Sequence, residues 1–176
     1  FADMAEALGC RAEKISLPYD STIDDKALAL VDEAIRRVHP VLITAVHCET
    51  PSGTLNPLAE LGRLKAERGV PLFVVDAVAS LGGALVEADA WHVDILLGGS
   101  QKCFGCPADM SMLAVSEAAW ARMKEVGYQG YDALLPFHLA EEDAMRFPYT
   151  PNWFGVAALH AAASAMLEDG LDRTFA

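Results

Sequence analysis

The sequence predicts an α/β domain in which a mainly parallel sheet carries helices on both faces. Three observations point there. Strand-sized apolar runs alternate with longer amphipathic stretches, as strand–helix units of a parallel sheet do. Several of those runs are apolar throughout, which suits strands covered on both faces. At 176 residues, 53% hydrophobic and 22% charged, the chain is long enough to bury roughly 70% of the surface its unfolded form exposes.

Each element has its own local signal. Asp25 to Val38 sets Leu28, Val31, Ile35 and Val38 on one helical face, with Lys26, Asp32, Glu33, Arg36 and Arg37 elsewhere. Pro40 stops that helix, and Val41 to Val46 reads as a buried strand. Asn56-Pro57 reads as a helix cap with proline in the first turn. Leu58, Leu61 and Leu64 form the stripe of that helix and Gly69 ends it. Leu72 to Asp76 is the second buried strand. Val93 to Leu97 is the third, running into Gly98-Gly99, and Ser111 to Val115 is a fourth, followed by a helix from Glu117 to Val126. Tyr128 to Tyr149 is aromatic, acidic and without clear period, and is expected to form a long loop or arm over the surface. A last helix spans Asn152 to Asp169, with Val156, Leu159, Ala163 and Met166 on one side and Gly170 as its stop.

Composition excludes several functions. The formal charge is −12, from 25 acids against 13 bases, and such a surface repels both phosphate backbones and anionic membranes. No apolar run reaches the roughly 18 residues of a membrane span, and no secretory signal is visible. Cys10, Cys48, Cys103 and Cys106 are too few and too scattered for a disulfide scaffold, which points to a reducing, cytoplasmic compartment.

In an open parallel sheet, ligands bind beyond the carboxyl ends of the strands. There the sequence carries His47 to Gly53 after the first strand, Asp76 to Ser80 after the second, and Gly98 to Lys102 after the third. Lys102 comes after a buried run and a glycine pair. Its amine is either a nucleophile capable of a Schiff base or a lysine reaching out of a loop into water. Asp76 ends an apolar strand. Its carboxylate either pairs with a protonated ring nitrogen or is a satisfied loop acid or helix cap.

Together these residues carry a resemblance. Asp76-Ala77-Val78-Ala79-Ser80-Leu81-Gly82-Gly83 followed by Gly99-Ser100-Gln101-Lys102 resembles the class V aminotransferases of the fold-type I pyridoxal phosphate enzymes, nearest the alanine–glyoxylate and serine–glyoxylate type. The stretch from His47 through Pro57 resembles the first rim loop of that family, and Phe147-Pro148-Tyr149-Thr150-Pro151 the segment a partner subunit lends to the cofactor phosphate. The resemblance implies a transaminase that moves an amino group from a small amino acid to a 2-oxo acid such as glyoxylate or pyruvate. It implies that Lys102 holds pyridoxal 5'-phosphate as a Schiff base and moves the proton, and that Asp76 keeps the pyridine nitrogen protonated. Val78 would pack on the ring and Thr50 would bond near its hydroxyl. Gln101 and Ser100 would reach the phosphate, as would Thr150 across a homodimer. No metal is expected.

By the same resemblance, residues 1–150 are the cofactor-binding core of a large domain without its N-terminal part, and 151–176 lead toward a C-terminal small domain. The glycine-rich phosphate turn of the family would lie before Phe1, and its carboxylate-binding arginine after Ala176. Phe147 stands where relatives often carry tyrosine. Asp109 stands at a glycine-like position and puts the local turn in question. Other chemistries of the same scaffold, cysteine desulfuration and kynurenine cleavage, remain alternatives, as does a non-catalytic fragment. A remoter one is a zinc deaminase, from His47-x-Glu49 and Cys103-x-x-Cys106. Against it, Thr50-Pro51-Ser52-Gly53 keeps Glu49 off a helix, Lys102 precedes the first cysteine where that signature wants proline, and the gap between the two halves is long.

Overall fold

The computed structural model describes residues 1–175. A short exposed helix α1 (Ala2–Ala7) leads through an extended segment to α2 (Asp25–Val38), whose first turn is capped by the Asp24 carboxylate accepting from Ala27 N at 2.9 Å. His39 closes it in the left-handed conformation, φ 47°, and Pro40 keeps the helix from resuming. Strand β1 (Leu42–Val46) comes next, then a small antiparallel hairpin of β2 (Cys48–Glu49) and β3 (Thr54–Leu55), helix α3 (Leu58–Glu67), and strands β4 (Leu72–Asp76), β5 (Ile95–Gly99) and β6 (Ser111–Val115).

The main sheet has the order β1-β4-β5-β6. β1, β4 and β5 are parallel, with Val46 opposite Asp76 and Asp76 opposite Leu97; β6 returns antiparallel beside β5. The mainly parallel sheet therefore stands; α3 lies in the crossover from β1 to β4, and residues 77–94, without a helix, make the one from β4 to β5. Phe73, Val75 and Leu96 point to one face and pack with Leu58 and Leu61 of α3, with Leu28 and Val31 of α2 closing over them. Their neighbours Leu42 and Thr44 on the other face are exposed, and Val74 and Ile95 only half-buried.

Helix α3 is fixed by one close approach. A β-carbon on Gly62 would lie 1.8 Å from the Trp91 carbonyl oxygen, so only glycine lets the helix meet that backbone. Alanine in a helix interior ordinarily gains about 1 kcal/mol over glycine. Gly62→Ala is expected to lose about 2–3 kcal/mol instead, because the obstructing atom is backbone and cannot rotate away. Denaturant titration decides this, and an unchanged or raised midpoint would contradict so close a packing.

Two expectations are corrected. Asn56 does not cap α3; Pro57 holds the cap position. The Asn56 amide donates to Val46 O at 2.8 Å and its oxygen accepts from Ile23 N at 3.1 Å, tying the end of β1 to the segment before α2. Nor is Tyr128–Tyr149 a loop throughout. After α4 (Glu117–Val126) it forms α5 (Leu135–Glu142) and a 3-10 turn at Ala144–Arg146. The helical period is hidden because Trp120 of α4 stacks on His138 at 4.5 Å, so aromatic rings rather than an aliphatic stripe seat α5. Helix α6 (Trp153–Asp169) starts at Asn152 as expected, and a short α7 (Leu171–Thr174) comes after Gly170. No helix among the described residues is long and apolar enough to cross a membrane.

At the amino ends of the strands lies a buried polar staple. The Asp94 carboxylate accepts from Phe73 N, the Ser116 hydroxyl and Lys65 Nζ, each at 2.8 Å, with Asp94 6% exposed. It joins α3, β4, β5 and the first turn of α4 in one network.

Candidate active site at the carboxyl ends of the strands

Three connections converge on the opposite rim. Because Val46, Asp76 and Leu97 are in register, the segments leaving β1, β4 and β5 emerge along one edge. The β2–β3 hairpin places Thr50 in its turn, closed by Gly53 N donating to Glu49 O at 2.8 Å. The turn after β4 carries Asp76 and Val78, and β5 runs out into Ser100, Gln101 and Lys102.

Asp76 is half-buried. One carboxylate oxygen accepts from Val78 N at 2.9 Å, and the other makes no hydrogen bond among the described residues. One oxygen thus serves the loop, and the other is left open. Lys102 is exposed, and no carboxylate among the described residues pairs with its amine. At Gly99, a β-carbon would meet Gln101 Oε1 at 2.6 Å and Val78 Cγ1 at 3.2 Å. Gln101 therefore folds back over the bare glycine beside Val78, and this close grouping exists only because position 99 lacks a side chain.

Ser100 behaves differently. It is fully buried, its hydroxyl donates to Pro107 O and accepts from Met110 N at 3.2 Å, so it closes the loop that bears Lys102. Thr150 is exposed, and its side chain makes no hydrogen bond among the described residues; beside it Phe137, Phe147 and Tyr149 form an edge-to-face cluster with centroids 5.4–5.7 Å apart. Asp109 needs no glycine conformation. Only His39 and His92 among the described non-glycine residues have positive φ, and the Asp109 carboxylate accepts from the Asn152 amide at 2.9 Å.

Sequence reasoning passed over the second layer of the rim. His47 is 3% exposed and its Nδ1 lies 2.8 Å from Ser80 Oγ, while its ring meets Trp91 edge-on at 5.3 Å. Burial pushes this imidazole below its usual titration range. Its position was the available signal: the first residue past an apolar strand is rarely solvated. The same bonds oppose the zinc reading. Cys103 Sγ donates to Ala79 O at 3.5 Å, and no three His, Cys, Asp or Glu among the described residues are grouped to hold a metal.

A cavity of about 780 Å³ lies between the N-terminal segment and β1. Its mainly apolar lining includes Cys10 but none of Thr50, Asp76, Val78, Gln101 and Lys102. The rim residues suit the cofactor implied by the resemblance: a carboxylate with a free oxygen for a ring nitrogen, a primary amine for an aldehyde, and an amide with an apolar wall at Gly99.

Comparison with known proteins agrees. The family described as Aminotransferase class-V matches residues 1–174. An uncharacterized aminotransferase of Methanocaldococcus jannaschii is 33% identical over 98% of this chain and 44% of its own length. The pyridoxamine–pyruvate transaminase of Mesorhizobium japonicum is 33% identical over 93% of this chain and 42% of its own. The crystal structure of ureidoglycine-glyoxylate aminotransferase from Bacillus subtilis superposes with a TM-score of 0.89 at 26% identity, over 98% of this chain and 44% of that one. The chain thus spans less than half the length of the relatives it matches.

Proposed function

The chain belongs to the class-V aminotransferase family, and from that premise we propose that it forms the cofactor-binding core of a pyridoxal phosphate-dependent transaminase, transferring an amino group from a small amino acid to a 2-oxo acid such as glyoxylate or pyruvate. The observation that carries the reading is the pairing of ends: Asp76 closes β4, and Lys102 lies just past the adjacent parallel β5. The names of the relatives, which act with pyruvate and glyoxylate, support the choice of oxo acid.

The residues divide the work. Lys102 Nζ is the attachment point and then the base and acid that moves a proton at the substrate α carbon. Asp76, with its free oxygen, holds a proton on the ring nitrogen. Bound pyridoxal phosphate supplies an electron sink for the charge left when that α proton departs. Val78 packs against the ring, Thr50 bonds near its hydroxyl, and Gln101 reaches the phosphate. Ser100 contributes by holding the Lys102 loop closed, since its hydroxyl is already engaged.

Residues 1–150 serve as part of the large domain and 151–176 lead toward a smaller one. The enzyme works as a homodimer in which Thr150 crosses to the partner's phosphate. The exposed Phe147–Thr150 stretch supports this, as do Trp153 and Phe154 of α6, 68% and 90% exposed, since apolar surface of that extent ordinarily meets a partner. Four free cysteines are consistent with a reducing cytoplasm.

Borohydride reduction tests the attachment. The full chain, incubated with pyridoxal phosphate, reduced and digested, is expected to carry one phosphopyridoxyl group, on the peptide containing Lys102. Labelling spread over other lysines, or none in folded protein, would sink the proposal.

A further inference from the structure

Resting on that reading of the rim, we propose that His47 is a positioning residue for the cofactor: it holds the Asp76–Ser80 turn in place from the β1 side. The turn is short, and its two ends are both tied to this one residue. His47 N donates to Asp76 O at 2.8 Å, and the His47 ring shares a 2.8 Å hydrogen bond with Ser80 Oγ. Between these ties sit Asp76 and Val78, assigned to the ring nitrogen and the ring face.

The remaining anchors of the turn are internal or come from the Lys102 side. Ser80 N and Leu81 N both donate to Ala77 O, at 3.0 and 2.8 Å, and Ala77 N donates to Leu97 O at 2.9 Å. Cys103 Sγ reaches Ala79 O. His47 therefore supplies the opposing side of the clamp. Its ring is held in turn by the edge-on Trp91, and it is too buried to be exchanging its bond with water. A purely apolar core residue could fill the same space, but it could not hold Ser80. Groups behind a site matter because misplacement of a reacting partner by an ångström costs about a hundredfold in rate.

The test compares His47→Ala, His47→Asn and Ser80→Ala in the full chain. Two quantities are read: the equilibrium affinity for pyridoxal phosphate, by absorbance titration, and the pH dependence of the bound cofactor's absorbance band. His47→Ala is expected to weaken affinity about tenfold or more and to shift the pH dependence of the band, because Asp76 is no longer held against the ring nitrogen. Asparagine places a donor or acceptor where Nδ1 stands and is expected to restore most of both. Affinity and band unchanged in His47→Ala, or an asparagine variant no better than alanine, overturns the proposal. If His47→Ala does not fold, Ser80→Ala decides alone: weakened affinity with a shifted band supports the clamp, and wild-type behaviour overturns it. Wild-type protein that binds no pyridoxal phosphate sinks the underlying reading, and this one with it. Binding wild type with indifferent variants sinks only the role of His47.

Discussion

On the proposed reading, Lys102→Ala is expected to lower kcat for transamination at least about a thousandfold, since one substitution would remove both the attachment point and the group that moves the proton. Lys102→Arg separates these roles from simple charge. The guanidinium keeps the positive charge but is neither a useful nucleophile nor a base at neutral pH, so it is expected to be as inactive as alanine. Neither change should disturb the fold, because Lys102 is exposed and unpaired by any described carboxylate. Steady-state kinetics on the full chain, with circular dichroism as the check on folding, measure this. An arginine variant that retained substantial turnover would mean that the cation alone matters, and the assignment of Lys102 would fail.

The second large effect is on stability. Asp94→Ala is expected to reduce the unfolding free energy by about 3–5 kcal/mol, the range for breaking a buried ion pair by deleting one partner. The substitution strands Lys65 Nζ, only 12% exposed on its side chain, together with the Phe73 amide and the Ser116 hydroxyl. That is a large part of the roughly 5–15 kcal/mol that holds an ordinary domain together. Lys65→Met should cost less, since Asp94 keeps its two other donors. Urea titrations of the pair of variants read the difference, and a loss below about 1 kcal/mol for Asp94→Ala would show that the network does not staple these elements.

Much of this fold is legible in sequence because apolar runs and helix stops act locally. The Asp25–Val38 helix is found residue for residue, its cap Asp24 and its stop Pro40 both being neighbours in the chain. Features that depend on distant partners are less visible. Asn56 looks like a helix cap until Val46 O and Ile23 N, 10 and 33 residues away, are seen to take its amide. Helix α5 is masked because a ring from α4 completes its packing. Asp94 lies inside the apolar run Val93–Leu97, an incongruity that marks a buried charge without naming Lys65. In the site, the strand-end rule locates Asp76, Thr50 and the Gln101-Lys102 pair on one rim. It does not distinguish Ser100, whose hydroxyl is turned inward, from its exposed neighbours, and it gives His47 no role until Ser80 is placed opposite.

The antiparallel return of β6 beside β5 also bears on the order in which the molecule assembles. Gly99 pairs with Ser111 across a short connection, whereas β1 and β4 meet only after the hairpin and all of α3 have been spanned. The entropy lost on closing a loop grows with its length, and contacts close in sequence form at lower cost during folding. The segment that bears Lys102 is therefore bracketed by the least costly pairing in the sheet, and loop-closure entropy favours tying both its ends ahead of the parallel pairing that brings Asp76 alongside.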